Sequence, residues 1–424
     1  MVDHDDPPED GKKRERRNSA WTDNANCGAD IEYAIQMNRW LLKPLGVWPH
    51  ISIENSSVTA GKLVNGLLVV STTFLLGFIL LPGSLYTIIK EKKTDVRVKL
   101  IGALSFCVMA ILKYISMLTG HDEIGNCIEH LVKDWRCVAN PEDRRTMLSH
   151  ALFGRYGTVV CAIFMYGGGL FYAIIMPLLR GSIFIPEANL TIRPLAYPSY
   201  YVLFDPQIQP FYEMVFATHC CCAFVMHTIA TAGCGLGVLF VMHACGQLEI
   251  LVAWLNSLVE SHSKEGSILD ARIARIINQH VRVLRFITST ESVLRNICLV
   301  EIGGCTLNLC LLGHYFLLEW EQSDAIAILT YTILLASFTF NILLFCYIGE
   351  LLTEECKKIG ETTYMIDWYR LPSKKALGLI LTIATSNRPS TITAGQLIDL
   401  SLGTFCSVVR TSVTYLNLLR TLIL

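Results

Sequence analysis

Apolar runs long enough to cross a bilayer alternate with short polar segments along most of this chain. Leu63–Ile89, Tyr156–Leu179, Met214–Gln247 and Ala325–Gly349 each continue without one Asp, Glu, Lys or Arg. Leu100–Gly120, Asn296–Leu318 and Leu400–Leu419 are comparable runs interrupted only by Lys113, Glu301 and Arg410. A hydrocarbon core about 30 Å thick needs about 20 mainly apolar residues per helix, so the pattern predicts an all-α protein with seven transmembrane helices. Past the fourth run, Ile268, Ile273, Ile276, Ile277, Val281, Leu284 and Ile287 recur at helical spacing with Arg272, Arg275, Arg282 and Arg285 between them. That spacing predicts an amphipathic helix continuing beyond the bilayer, and Leu377–Ala384 repeats the theme. Residues 1–40 read as a disordered, charged tail. Leu41–Pro49 reads as a short apolar stretch lying along the membrane surface through Trp40 and Trp48.

Composition agrees with the pattern. Hydrophobic residues make up 52%, charged residues 17%, and the mean hydropathy is +0.44, beyond the range of ordinary soluble domains. No apolar h-region of a signal peptide lies near the start. Lys and Arg concentrate in the N-terminal segment and in the second, fourth and sixth loops, which predicts a cytoplasmic N-terminus and an extracellular C-terminus. The basic first loop, with Lys90, Lys92, Lys93, Arg97 and Lys99, runs against this. Of the sequons at Asn55 and Asn189, three spans apart, only one can face the lumen. Asn189, in a proline-rich loop, is the expected glycosylation site.

Most of the 16 cysteines fall within the spans, where free cysteine packs as a small hydrophobe. The spacing of His219, His227 and His243 matches no zinc motif, and neither a metal nor another cofactor is expected. Lys113 is expected to snorkel toward the inner end of its span and Glu301 to pair with Arg295. Glu319, Glu321 and Asp324 crowd the short fifth loop, either concentrating cations or simply solvated. No nucleophile, base and orienting group recur at usable spacing, so an enzyme is not expected. No nucleic-acid partner is expected either. The alternative of a G-protein-coupled heptahelical chemoreceptor lacks its signatures: residues 180–211 contain no cysteine, and no Asn-Pro precedes Tyr415.

Four segments, in order, carry a resemblance. LLKPLGVWP before the first span, TTYMIDWYRLP at Thr362–Pro372, RPSTITAG at Arg388–Gly395 and LSLGTFCSVVRTSVTYLNLLRTL at Leu400–Leu422 resemble the insect odorant receptor family, most closely receptors of ants, bees and wasps. The resemblance implies an odorant- or pheromone-gated, non-selective cation channel in the plasma membrane of olfactory sensory neuron dendrites. It further implies a heterotetramer in which this chain is the tuning subunit and an odorant receptor co-receptor is the partner, with small volatiles or hydrocarbons as ligands and cations as permeants. The implied organisation is a tail at 1–40, an odorant-binding part at 41–246, an anchor of cytoplasmic helical extensions with spans five and six at 247–390, and a pore-lining helix at 391–424.

The sequence given stops on that last apolar helix, which is therefore expected to be functional. If Leu418 faces a central axis, Thr411, Tyr415 and Leu422 share its face, and a ring of leucines can gate by dewetting. The family's gate falls on Leu418 and Leu422, while Arg420 points about 200° away. A cavity for small apolar ligands needs aromatic and aliphatic walls. The resemblance places it in the outer half of spans two, three, four and six. Candidates there are Phe106 and Met109; Met165, Gly168, Gly169 and Tyr172; Phe216 and Cys220; and Ile328, Tyr331 and Leu335. Met165, Gly168 and Tyr172 share one helix face, with the glycine leaving room for a guest.

Overall fold

The structure, a computed structural model, describes residues 24–49, 58–90, 92, 94–181, 183–185, 190–202, 204–260 and 266–423. Asn55 and Asn189 lie outside the described residues. Helix α1 (Cys27–Leu42) is followed by α2 (Val58–Leu85, prolonged by a π-helical turn to Lys90), α3 (Thr94–Thr119), α4 (His121–Cys137) and α5 (Pro141–Leu170). Helix α5 continues through a π-helical segment, Phe171–Ile175, to Arg180. A small antiparallel hairpin, β1 (Ile183–Ile185) with β2 (Leu190–Ile192), precedes α6 (Phe211–Glu260), α7 (Gly266–Gln322) and α8 (Ala325–Met365). After α9 (Ser373–Ser386), strands β3 (Thr393–Ala394) and β4 (Ile398–Asp399) pair, and α10 (Leu402–Ile423) follows.

Among the described residues six helices are long and apolar enough to cross a membrane: α2, α3, α5, α6, α7 and α8. The 22-residue α10 is long enough for a seventh but more polar. Helix α7, at 57 residues, is about 85 Å long at 1.5 Å per residue, nearly three hydrocarbon cores. The amphipathic stretch after span four is therefore one rod with span five, and residue 247 falls inside α6.

Helix α6 is the hub. From Met226 to Leu248 nearly every side chain is buried, including Ile229, Leu236, Phe240 and Leu248, because α5, α7, α8, α1, α2 and α3 all pack on it. Helix α2 is the opposite case, with Leu63, Leu67, Val70, Phe74 and Leu81 exposed in a lipid-compatible stripe.

The amino-terminal expectations need correction. Residues 27–40 are helical, since Ile31, Ala34, Ile35, Asn38 and Leu42 bury one face of α1 and Asp30 accepts two hydrogen bonds from the Arg144 guanidinium (2.6 and 2.7 Å). Nor does Leu41–Pro49 lie wholly along a surface. Trp40 is exposed, but Leu42, Leu45, Val47 and Trp48 are buried. Gly46, at φ +71°, turns the chain inward where a Cβ would come 2.7 Å from the Asn65 carbonyl oxygen. The Tyr114 hydroxyl then donates to the Leu45 carbonyl (2.8 Å).

Lys113 and Glu301 do not snorkel or pair with Arg295. They form a completely buried ion pair between α3 and α7. Asn341 of α8 donates to the other Glu301 carboxylate oxygen (2.7 Å), as does the Cys305 thiol (2.9 Å). A charge in the bilayer interior is tolerated only when paired, and the partner here lies 188 positions away in sequence.

At the far end of the bundle, Asp134 of α4 accepts from His243 (2.9 Å) and Arg282 (2.5 Å). Burial pushes the Asp134 carboxyl up, yet the hydrogen bonds from His130 and His243 prevail and hold it well below the usual carboxylate range. All 16 cysteines are free.

Candidate ligand-binding cavity

Between α3, α5, α6, α7 and α8 lies a part-open cavity of about 60 Å³. Helix α3 contributes Lys99, Gly102, Ala103 and Phe106; the π-helical segment of α5 contributes Tyr172; and α6 contributes His227. Helix α7 adds Asn308, Leu312 and Tyr315, while α8 adds Tyr331, Leu334 and Phe338. Tyr197, from the segment after β2, completes the wall.

The deep end is aromatic. Phe106 stands edge-on to Phe338 (centroids 5.5 Å apart) and 4.9 Å from the His227 ring, separations at which aromatic faces and edges attract. His227 donates from Nδ1 to the Ala223 carbonyl (2.7 Å), since a carbonyl can only accept. Nearer the rim, Tyr315 and Tyr331 lie 5.7 Å apart, as do Tyr172 and Tyr197. Lys99 sits over the Tyr331 ring at 5.6 Å and donates to Glu319 (2.7 Å).

Partners of this kind absorb much of the basic first loop. Lys99 is already within α3, and Lys90 stands over Tyr200 at 4.8 Å. The fifth-loop carboxylates are likewise engaged: Asp324 caps α8 through the Ile326 and Ala327 N–H groups and pairs with Arg180 (2.6 Å). These bonds, the Ala327 amide first, hold the Asp324 carboxyl below its ordinary value.

Of the sequence candidates, Phe106, Tyr172 and Tyr331 line this cavity. Met109 and Met165 are buried in neighbouring core, with Met109 filling the space above Gly304. Gly168 and Gly169 leave room for protein rather than for a guest. A Cβ on Gly168 would meet Ser337 Oγ at 2.9 Å, and one on Gly169 the His227 ring at 2.5 Å. Phe216 stacks on Tyr212 (6.0 Å) away from the cavity, and Cys220, Ile328 and Leu335 are half-buried outside its wall.

The sequence offers no cavity candidate on span five. Asn308, Leu312 and Tyr315, at i, i+4 and i+7, were a legible helix face without a reason to prefer it. His219, read against a metal role, is buried against Phe78 and Tyr197 and bonds the Tyr201 hydroxyl (3.0 Å). Among the described residues no group of three or more His, Cys, Asp or Glu could hold a metal ion.

The opposite face of α7 carries α10. A Cβ on Gly313 would meet Leu416 at 3.1 Å, and the Ser412 hydroxyl donates to the Thr306 carbonyl (3.1 Å). Val408 and Ser412 are buried and Leu419 packs on the core, whereas Tyr415 and Leu418 are 52% and 54% exposed and Thr411 is half-buried. The side chain of Leu422 lies outside the described residues. Arg410 is exposed, while nearby in sequence or fold Glu350 accepts the Leu402 N–H (3.2 Å) and Asp399 the Thr391 hydroxyl (2.9 Å). Arg420 reaches Glu321 at 3.9 Å on the exposed side.

The sequence profile described as 7tm Odorant receptor matches residues 98–413. Odorant receptor Or2 of Anopheles gambiae is 25% identical over 62% of this chain and 64% of its own length; Odorant receptor 10 of Aedes albopictus is 24% identical over 54% and 60%. The chain thus spans less than two thirds of the length of these relatives. The solved structure of the insect olfactory receptor OR5 from Machilis hrabei in complex with eugenol superimposes with a TM-score of 0.75 at 13% identity, covering 92% of this chain and all of that one. The match of fold shows a shared helical architecture, and the profile, extending over most of the chain, shows that this multi-pass membrane protein belongs to the insect odorant receptor family.

Proposed function

We propose that the chain is the tuning subunit of an odorant- or pheromone-gated, non-selective cation channel, assembled with an odorant receptor co-receptor into a heterotetramer. The observation that carries this reading is the double duty of α7. Asn308, Leu312 and Tyr315 face the cavity while Thr306 and Gly313, on the other side of the same helix, hold α10. A guest that displaces the cavity wall thereby moves the helix that supports α10, and interior packing transmits such a shift because it is not compressible. Supporting it further, Tyr415 and Leu418 are left exposed by the single chain, available to a shared axis. On this reading Leu418 and Leu422 form the gate, with Tyr415 and Thr411 on the same face. The N-terminus is cytoplasmic, the C-terminus extracellular, and the site of action the dendritic plasma membrane of olfactory neurons.

Whole-cell recording of the chain with and without an insect odorant co-receptor, against a broad volatile panel and with G-protein signalling blocked, tests the proposal. Fast cation currents that require the co-receptor and change ion selectivity with Leu418→Ala are expected. Responses abolished by the G-protein block, or unchanged without the co-receptor, would overturn it.

A further inference from the structure

The cavity contains a demand that the protein itself does not meet. Tyr315 and Tyr331 both line it, are 3% and 2% exposed, and neither hydroxyl has a hydrogen-bond partner among the described residues. An unmade hydrogen bond in such surroundings is costly, and buried hydroxyls nearly always find a partner. Three neighbouring polar side chains already have partners within the protein. Asn308 donates to the Gly304 carbonyl (2.8 Å) and accepts from Ser105 (3.0 Å), His227 donates to Ala223, and Lys99 donates to Glu319.

We propose, on the reading that this cavity is the odorant site, that it selects neutral ligands bearing a carbonyl oxygen, such as ketones, aldehydes and esters, over hydrocarbons of the same shape. The carbonyl accepts from the hydroxyls of Tyr315 and Tyr331 near the rim, and the apolar body extends to Phe106 and Phe338. Position along α8 sets this polarity, since Tyr331, Leu334 and Phe338 descend one face at i, i+3 and i+7. Charge argues for a neutral ligand. The Lys99 ammonium is bonded to the Glu319 carboxylate (2.7 Å), so among the described lining residues no uncompensated cation remains to balance a carboxylate, and an unpaired anion is not admitted to such surroundings.

The test compares 2-alkanones of six to twelve carbons with the 2-methyl-1-alkenes that replace C=O by C=CH₂ at nearly constant shape. Two readouts serve: currents from the chain expressed with the co-receptor, and ligand-induced melting shifts of the purified chain. Each hydrogen bond contributes about 2- to 12-fold in affinity, so the ketones should be about tenfold more potent. The Tyr315→Phe/Tyr331→Phe double variant, which keeps both rings, should bring the ketone and alkene potencies together; carboxylates of the same length should not bind. Equal potency of ketones and alkenes, or a preference that survives in the double variant, overturns the carbonyl assignment and leaves the odorant-site reading standing. A chain that neither opens nor gains thermal stability with any member of either series overturns both. The matched pairs decide the question on the unmodified protein even if the variants fail to fold.

Discussion

Two polar sites lie on the same helices and follow opposite rules. On α3, Phe106 lines the cavity and Lys113 lies seven residues deeper; on α7, Asn308 lines it and Glu301 lies seven residues deeper. Seven residues are about 10 Å of helix. In the lower site a full charge pair is completely buried and both oxygens of Glu301 are engaged, by Lys113, Asn341 and Cys305. In the upper site, two neutral hydroxyls are left without partners beside open space. A satisfied network ties helices into one arrangement, whereas an unsatisfied one bordering a cavity is ready for a guest. The bundle is therefore locked beneath the cavity and receptive within it.

The strongest test of that contrast is Lys113→Met. Leaving Glu301 buried without its partner should destabilise the bundle by about 3–5 kcal/mol, read as loss of monodisperse protein in detergent and a large drop in melting temperature. Lys113→Met combined with Glu301→Leu should recover most of the loss; a single variant as stable as the parent would show that the pair locks nothing.

A second pair sharpens the contrast in packing. Phe345 is fully buried against Gly237 (3.3 Å from its ideal Cβ), so Phe345→Ala should cost about 3–5 kcal/mol. Phe106→Ala should cost roughly half as much, because one side of that ring already borders a cavity, while reducing ligand potency. Thermal melting of the two variants side by side checks the order.

Gly169→Ala acts more subtly. Its Cβ would fall 2.5 Å from the ring of His227, which lines the cavity and would have to shift. Ligand potency should shift several-fold with little change in melting temperature, measured as concentration–response curves against surface expression. The smallest effect belongs to Arg420→Gln. Its pair with Glu321 is long, at 3.9 Å, and both side chains are more than half exposed. Such pairs contribute little, so no change in melting temperature is expected, whereas a clear loss would place Arg420 in a packed contact.

The fold class was legible early because hydropathy is a local property. Phe106, Tyr172 and Tyr331, candidates on residue type within the spans and depth that the resemblance implies, line the cavity. Phe216, Cys220, Ile328 and Leu335, chosen by the same reasoning, stand outside its wall, because depth along a helix does not specify the direction in which its face points. Gly168 reads in the sequence as space for a guest, yet Ser337 stands against it and His227 against Gly169, both from helices more than 50 positions away in sequence. Nothing local distinguished the α7 face bearing Asn308, Leu312 and Tyr315 from the face that carries α10.

By itself the sequence determined the membrane class, the long apolar helices, the amphipathic extension of α7 and the order of motifs that places the chain in its family, since each depends on runs and spacings within one segment. The tertiary structure alone decided which charges pair, as Lys113 does with Glu301, which side chains border empty space, and which hydroxyls remain unanswered. Those outcomes depend on how helices rotate against one another. That rotation is set by the summed packing of many distant side chains around α6, and no single segment encodes it.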